Sequence, residues 1–571
     1  MKRTMTTLAD HHLRRSLLFM LLLLAAGILF FGQWVLTRAA AVTCSVPSAS
    51  YATINAALAD SACTTIELAN GTYTETLTLG RDVTIEGGHN SLAKIQAAAD
   101  RNLADSRVIT VTASATVVLR GLTVRHGDQT GTCCGQDVGG GILNQGDLTL
   151  DGVIVELNDA PHGGGIFNSG TLLLSDSNVR FNHATADGGG INNNSFGTLI
   201  SIDSSIVFNE SEQQGGGIYT YGVVELYNNL LIGNEGVIAG GVFIGGGNPV
   251  TVVGGAVYQN SANSSNGGGF ANYGTTALLT LKGVEIFDNY ALNDGGGVWT
   301  WSRTRIEDSI IRNNDSDSDG GGVFHYDGHL EIARTAILSN TTEGNGGGTH
   351  SVLATAYMTM TESTVGFNST GVFGGGIYGN SANITLRNVT VTGNSASAES
   401  GGIGIFMGSI DMAHVSITNN STSGSGDIAG GIGIFSPVAV ARNVIIIGNT
   451  APNSDTKDCW ADSTTFSGFG YNLVGTGTCT SHFIGGSISS SADPAAMINA
   501  NAHLNGHAFL LTHSLPSGSW AKATPWASCM TNDGSFLLTD QRGTPRPSGS
   551  SCDVGAYQTG SGFFLPIVVR P

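Results

Sequence analysis

The sequence is poor in positive charge and in proline, and it lacks the paired CxxC motifs that hold zinc. Lys and Arg number 24 against 43 Asp and Glu, for a formal charge of −19. A surface of that sign repels phosphate backbones, which excludes nucleic acid as a partner. Twelve prolines in 571 residues, with glycine that keeps no three-residue period, exclude a collagen-like chain. Charged residues make up only 12%, too few for the highly charged composition that keeps chains disordered. Long apolar runs are also missing, except one at residues 17–31.

That run reads as an export signal. Arg14 and Arg15 precede it, and Ala39-Ala40-Ala41 supplies a small-residue cleavage site. Stretched to residue 36 it nears the length of a membrane anchor, whereas Gln33 and the Ala39-x-Ala41 pattern favour removal. Without residues 1–41 the chain holds 19 basic and 42 acidic residues and sits near −23. The eight cysteines suit the oxidising compartment that export implies. Three local pairs, Cys44 with Cys63, Cys459 with Cys479 and Cys529 with Cys552, read as disulfide staples at the two ends of the molecule. Cys133 and Cys134 are adjacent and form either a vicinal disulfide or two thiols in an inserted loop.

Glycine, at 83 residues, is what the chain has in excess, and it recurs in phase. Gly-Gly-Gly begins at Gly139, Gly163, Gly188, Gly215, Gly267, Gly295, Gly320, Gly346 and Gly374, with weakened copies at Ala239, Ser400 and Ala429. An asparagine keeps step with each copy: Asn158, Asn182, Asn209, Asn234, Asn260, Asn289, Asn314, Asn340, Asn368, Asn394, Asn420 and Asn449. Between the markers, apolar and polar residues alternate, as in LTLDGVIVELN ending at Asn158. Such alternation is strand periodicity. A unit of about 26 residues then holds three short strands and three bends, which is one rung of a parallel β-helix.

Leucine-rich repeats share the length, but their fixed LxxLxLxxN frame and helical stretches are missing, and a WD-type propeller needs a longer repeat. The pattern therefore predicts an all-β, right-handed parallel β-helix solenoid of about 15 rungs, spaced about 4.8 Å apart. Glycine permits positive φ and close backbone approach. Asparagine tolerates the left-handed region, and stacked side-chain amides can bond as a ladder. Both markers are explained by folding alone. The open strand edges at the two ends must be covered.

Residues 51–59 form an amphipathic helix candidate that Cys44 and Cys63 would clamp. The stretch Ala52-Thr53-Ile54-x-x-Ala57-Leu58, then Leu68-Ala69-x-Gly71-Thr72-Tyr73, then Val118-Leu119-x-Gly121-Leu122-Thr123 resembles the N-terminal cap of bacterial right-handed parallel β-helix proteins of the pectate-lyase-like class. The repeats resemble the GGGI…FxxN units of polymorphic outer membrane proteins. Together these likenesses cover roughly residues 42–450. Beyond them, Asp458-Cys459-Trp460, Gly470-Tyr471-Asn472-Leu473-Val474-Gly475, Thr512-His513-Ser514-Leu515-Pro516, Thr539-Asp540-Gln541-Arg542-Gly543-x-Pro545-Arg546-Pro547 and Cys552-Asp553-Val554-Gly555-Ala556-Tyr557 resemble the "choice-of-anchor Q" domain of bacterial surface β-helix proteins.

The middle of that domain departs from the pattern, at Asn505-Gly506-His507 and at Gly518-Ser519-Trp520-Ala521-Lys522. The resemblance implies an end cap followed by a surface-sorting tail. Residues 563–571 are then either a sorting signal or a last strand on the cap. They are too short to span a bilayer, and the chain has no room for an outer-membrane barrel. The organisation predicted is a signal at 1–41, cap and first rungs at 42–138, glycine-triplet β-helix at 139–455, choice-of-anchor Q-like domain at 456–558 and tail at 559–571. The whole is expected to be a monomer.

Outward positions after the triplets hold Phe167, Tyr219, Tyr221, Phe243, Tyr273, Trp299, Trp301, Phe324, Tyr326 and Tyr378. From Tyr219 to Tyr326 they would line one face for about 20 Å. An exposed aromatic row suits sugar stacking or partner contact. The alternative is that the rings stack on one another or pack under loops. Asp315, Asp317 and Asp319 alternate like the first half of a calcium loop, but Tyr326 stands where the bidentate Glu belongs, so a solvated acidic loop is the competing reading. No other cofactor is expected.

His325, Tyr326, Asp327 and His329 form the best local group of acid–base residues. Between residues 139 and 450 the only lysine is Lys282, which is poor provision for binding an acidic sugar, and the clustered carboxylates of a glycosidase are missing. Two functional classes follow. One is a secreted or surface-displayed rod without catalysis, binding glycan or a cell-surface partner, of which a plain structural spacer is the weaker form. The other is an extracellular polysaccharide lyase or glycosidase of the pectate-lyase-like fold.

Overall fold

A computed structural model describes residues 42–558, apart from the short segments 89–90, 131–136, 426–428, 436–437, 463–465, 483–487, 490–497, 500–508, 517–523, 526–528 and 547–550. The export signal, Cys133 and Cys134, the departing motifs at 505–507 and 518–522, and the tail lie outside the described residues.

The chain winds into a parallel β-solenoid of about 16 turns, with almost no helix. A typical turn runs through Ile142–Asn144, Asp147–Asp151, Ile154–Glu156 and Asp159–His162. Each of these strands pairs in parallel with its counterpart in the next turn, at Ile166–Asn168, Thr171–Ser175, Asn178–Arg180 and His183–Asp187. The molecule thus has four stacked sheets, numbered one to four in that order. Sheet four is the addition to the predicted three strands. The residues between each asparagine marker and the next triplet run extended because the neighbouring turn offers them a ladder.

Inward residues fall in register. Ile142, Ile166, Ile191, Ile218, Val242 and Phe270 stack one above another and are fully buried. Each such side chain is worth about 1.5–3 kcal/mol relative to exposure, and the column continues along one aliphatic core that runs the length of the rod.

The glycine triplets divide their labour. Gly163 has φ +65°, the left-handed bend. A Cβ on Gly164 would lie 2.1 Å from the carbonyl oxygen of His183, and one on Gly165 would lie 2.6 Å from that of Gly190. The first position needs a left-handed conformation and room as well, since a Cβ on Gly163 would lie 2.4 Å from the Ile166 carbonyl oxygen within its own turn, whereas the second and third need space against the neighbouring turn. The weakened copies obey this rule: only the first glycine is replaced, and Ala239 and Ser400 take φ +58° and +59°.

The asparagines form the ladder expected of them, but they are not the left-handed residues. That strain falls on the residue before each one, such as Leu157, Phe181 and Phe208 at φ +53° to +55°. The bend frees the asparagine to turn inward. Asn182 Nδ2 donates to Asn209 Oδ1 at 3.0 Å and to the Val155 carbonyl at 2.9 Å, while its own oxygen accepts from the backbone and side-chain nitrogens of Asn158. A third left-handed bend follows each strand of sheet two, at Gly152, Asp176 and Asp203 for example.

Both ends are closed. Strand β1 (Val42–Val46) pairs with β2 (Cys63–Leu68), and between them helix α1 (Ile54–Ala59) lays Ile54 and Ala57 on the end of the core. Thr53 caps the helix through the Ala56 amide, and Glu75 accepts from the Ile54 and Asn55 amides. Cys44–Cys63, Cys459–Cys479 and Cys529–Cys552 are disulfides, with Cα separations of 5.6, 5.8 and 6.0 Å. At the far end Asp458 terminates the ladder, its Oδ1 accepting from Asn449 N and Nδ2.

The last part of the chain does more than cap. Residues 509–516, 529–546 and 551–558 fold back along the outside of sheet three. Leu511 meets Thr364, His513 meets Thr392 and Thr418, Gln541 bonds Thr390, and Ala556 N donates to Ser416. Arg546, wholly buried, donates to Asn388 and to the carbonyls of Thr539, Asp553 and Gly555.

Candidate functional site

The outward face of sheet one carries two parallel columns of side chains. The inner column, in register, is Tyr219, Phe243, Ala271, Trp299, Phe324, His350 and Tyr378. The outer column lies two residues further along each turn and includes Tyr221, Tyr273, Trp301 and Tyr326. The rings touch along the rod: Tyr219 to Phe243 at 5.2 Å, Phe243 to Tyr273 at 5.4 Å, Tyr273 to Trp299 at 4.0 Å and Trp301 to Tyr326 at 4.9 Å.

All eight residues singled out from Tyr219 to Tyr326 therefore share one face, and they differ in access. Phe243, Trp299 and Phe324 are only 4–5% exposed, because the residues just before the triplets fold over them. Asn266 Nδ2 holds the Tyr273 hydroxyl at 2.7 Å, and burial pushes that hydroxyl and the one on Tyr219 upward in pKa. The Trp299 Nε1–H finds no acceptor among the described residues. Tyr221 and Trp301, at 40% and 41% exposed, are the open part, with half-buried Tyr326 beside Trp301. Phe167 is half-buried, outside the stack, and Tyr378 is buried.

The aspartate run does not converge. Asp315 accepts from Thr341 Oγ1 at 2.6 Å, Asp317 from the Tyr290 hydroxyl at 2.8 Å, and Asp319 from Asn345 at 2.9 Å. Ser316 turns inward between them, so the acidic side chains point to separate neighbours. Among the described residues no three His, Cys, Asp or Glu side chains gather as a metal site.

The acid–base group is split in the same way. His325 is fully buried among the polar residues closing sheet one, 3.3 Å from Ser351 Oγ, and burial lowers its pKa to about 4. His329 is exposed and stacks on Tyr357 at 5.2 Å, and Asp327 bonds the Gly328 amide. These residues do not face a common point.

The structure adds a group that the sequence did not single out. Asp294 and Asp319 lie just before two successive triplets, over the inner column, and His350 Nδ1 stands 3.5 Å from Asp319 Oδ2. Burial, reinforced by Asp319, raises the Asp294 pKa. Burial opposes the Asp319 charge, but His350 and Asn345 outweigh it and hold that carboxyl low. The signal was available, since the residue before each triplet forms a column of its own. Among the described residues no helix is long and apolar enough to cross a membrane. No family model, curated protein or solved structure matches the chain.

Proposed function

We propose that the protein is an exported, non-catalytic rod that binds glycan at the cell surface through the outer aromatic column of sheet one. The observation that supports this is the exposed Tyr221 and Trp301, with half-buried Tyr326, resting against a stack of largely covered rings that holds them in place. Rigid aromatic faces stack on sugar rings with little loss of side-chain freedom. The three disulfides fit an oxidising compartment. The back-folded segment corresponds to the choice-of-anchor Q-like region, and its role in this reading is to lock the C-terminal end of a displayed rod.

A glycan-array screen of the chain from residue 42 should show retention without degradation. The double variant Trp301→Ala/Tyr326→Ala should lose that retention while keeping the thermal transition of the parent. Retention unchanged in the double variant, or cleavage of a retained glycan, would overturn the proposal.

A further inference from the structure

The inner column of sheet one breaks once. After Tyr378 its next two members are Gly404 and Gly433, and it resumes at Trp460. Two successive turns thus lack a side chain where the preceding ones carry rings, and a cavity of about 230 Å³ opens there. Tyr378 and Phe373, 5.9 Å apart, form one wall. Phe435, stacked against Trp460 at 4.4 Å, forms the opposite wall, and Phe406 lies across the side. Glu399 and Ser400, from the bend before the weakened triplet, close the remaining edge.

Among the described residues Glu399 is the only charged one lining this cavity, and no ion pair of it occurs among them. Burial raises its pKa, as expected of a carboxylate held against aromatic rings without a counter-charge. Four rings and one carboxylate line the same small volume, and a cation is attracted both by a ring's π face and by the carboxylate. A sugar of this size would need many hydrogen-bonding partners, and among the described residues the lining side chains offer only the Glu399 carboxylate and the hydroxyls of Ser400 and Tyr378.

We infer that this cavity is a binding site for a small alkylated ammonium ion, with Phe373, Tyr378, Phe406 and Phe435 as the cage and Glu399 as the counter-ion. The site lies further along the same sheet, beyond the rings proposed to bind sugar, and does not depend on that reading. The missing side chain at Gly404 is what makes the room, while at Gly433 the Ser400 hydroxyl takes the place of a Cβ, 2.2 Å from where one would lie. Neither glycine has a left-handed φ, so the gap is not a demand of the backbone. A Cβ on Gly404 would meet the Tyr378 ring at 3.1 Å and begin to fill it.

The test is calorimetric titration of the chain from residue 42 with choline and with tetramethylammonium, beside 3,3-dimethylbutan-1-ol, the uncharged analogue of choline. Both cations should bind and the alcohol should bind at least about tenfold more weakly. Glu399→Gln should weaken choline about tenfold, and Gly404→Leu, which fills the cavity from a position that elsewhere carries Tyr, Phe or Trp, should abolish binding. An unchanged thermal transition in each variant shows that the rod is intact. Equal binding of the neutral alcohol, choline affinity unchanged in Glu399→Gln, or no heat from either cation at millimolar concentration would each overturn the assignment.

Discussion

At the scale of single residues, the repeat assigns each position one physical duty, so neighbouring substitutions should differ sharply. Gly320 supplies a left-handed bend at φ +65°, and Ala239 shows that alanine can adopt the same bend elsewhere in the rod. Gly320→Ala should therefore cost at least about 1–2 kcal/mol, the usual penalty of that region for an L-residue, because its Cβ must also find room 2.8 Å from Phe324 Cβ. Gly321→Ala would place a Cβ 2.1 Å from the Thr341 carbonyl oxygen and force two turns apart, so it should prevent folding or cost several times as much. Chemical denaturation of the pair tests this contrast. In the ladder, Asn314→Ala removes the oxygen that accepts from Asn289 N and Nδ2. Two buried donors are left unpaired, at about 1–3 kcal/mol each. The markers were legible in the sequence because both recur in every turn. Which residue takes the left-handed bend was not, since Leu157, Phe181, Gln259 and Asp288 share no side-chain chemistry, only a place before an asparagine.

At the scale of elements, the back-folded segment explains a change in the outward residues of sheet three. Earlier turns carry Glu156, Arg180, Leu230, Glu285 and Arg312 there, whereas later ones carry Thr364, Thr390, Thr392, Ser416 and Thr418. The small hydroxyls leave room for residues 509–516, 529–546 and 551–558 and bond to them. This shift can be read from the sequence once strand phase is known, but no repeat marks its partner. The contacts join residues 95 to 177 positions apart, and local periodicity cannot reach that far. The motif residues are occupied in the same structure: Asp540 accepts from Arg542 and from the Thr544 and Gln558 amides, and burial lowers the Arg546 pKa to about 10. Thr390→Arg should therefore displace the segment while leaving the turns folded. The expected outcome is faster proteolysis within residues 509–558 with hydrogen exchange of the core strands unchanged.

At the scale of the whole molecule, stability should fall on the acid side of neutrality. His325 and His414 are buried in the neutral form, and burial depresses both pKa values, that of His325 to about 4. In the unfolded chain each takes up its proton near pH 6.5. Their stabilising share is thus complete above that pH and is lost as pH falls from 6.5 towards 4, since the unfolded chain then binds more protons. For His325 alone this amounts to about 3 kcal/mol. Thermal melts at pH 7 and pH 4.5 should show the loss, and His325→Gln should reduce its size.

The asparagine ladder has a direction as well as a length. In every step from Asn158 to Asn449 the side-chain N–H points to the following turn and the oxygen faces the preceding one. Twelve amide dipoles are therefore aligned head to tail inside a poorly polarisable core, where each strengthens the next. Their positive end arrives at Asp458, whose second oxygen takes the Thr476 amide, so a carboxylate that only accepts sits where the line stops, and these bonds oppose the burial that raises its pKa. As with an anion at the N-terminus of a helix, the aspartate neutralises the end of a long dipole. The two ends of the ladder are electrically unlike, and it could be carried into the turn beyond Asp458 only by putting a fresh amide in the carboxylate's place and moving the charge outward.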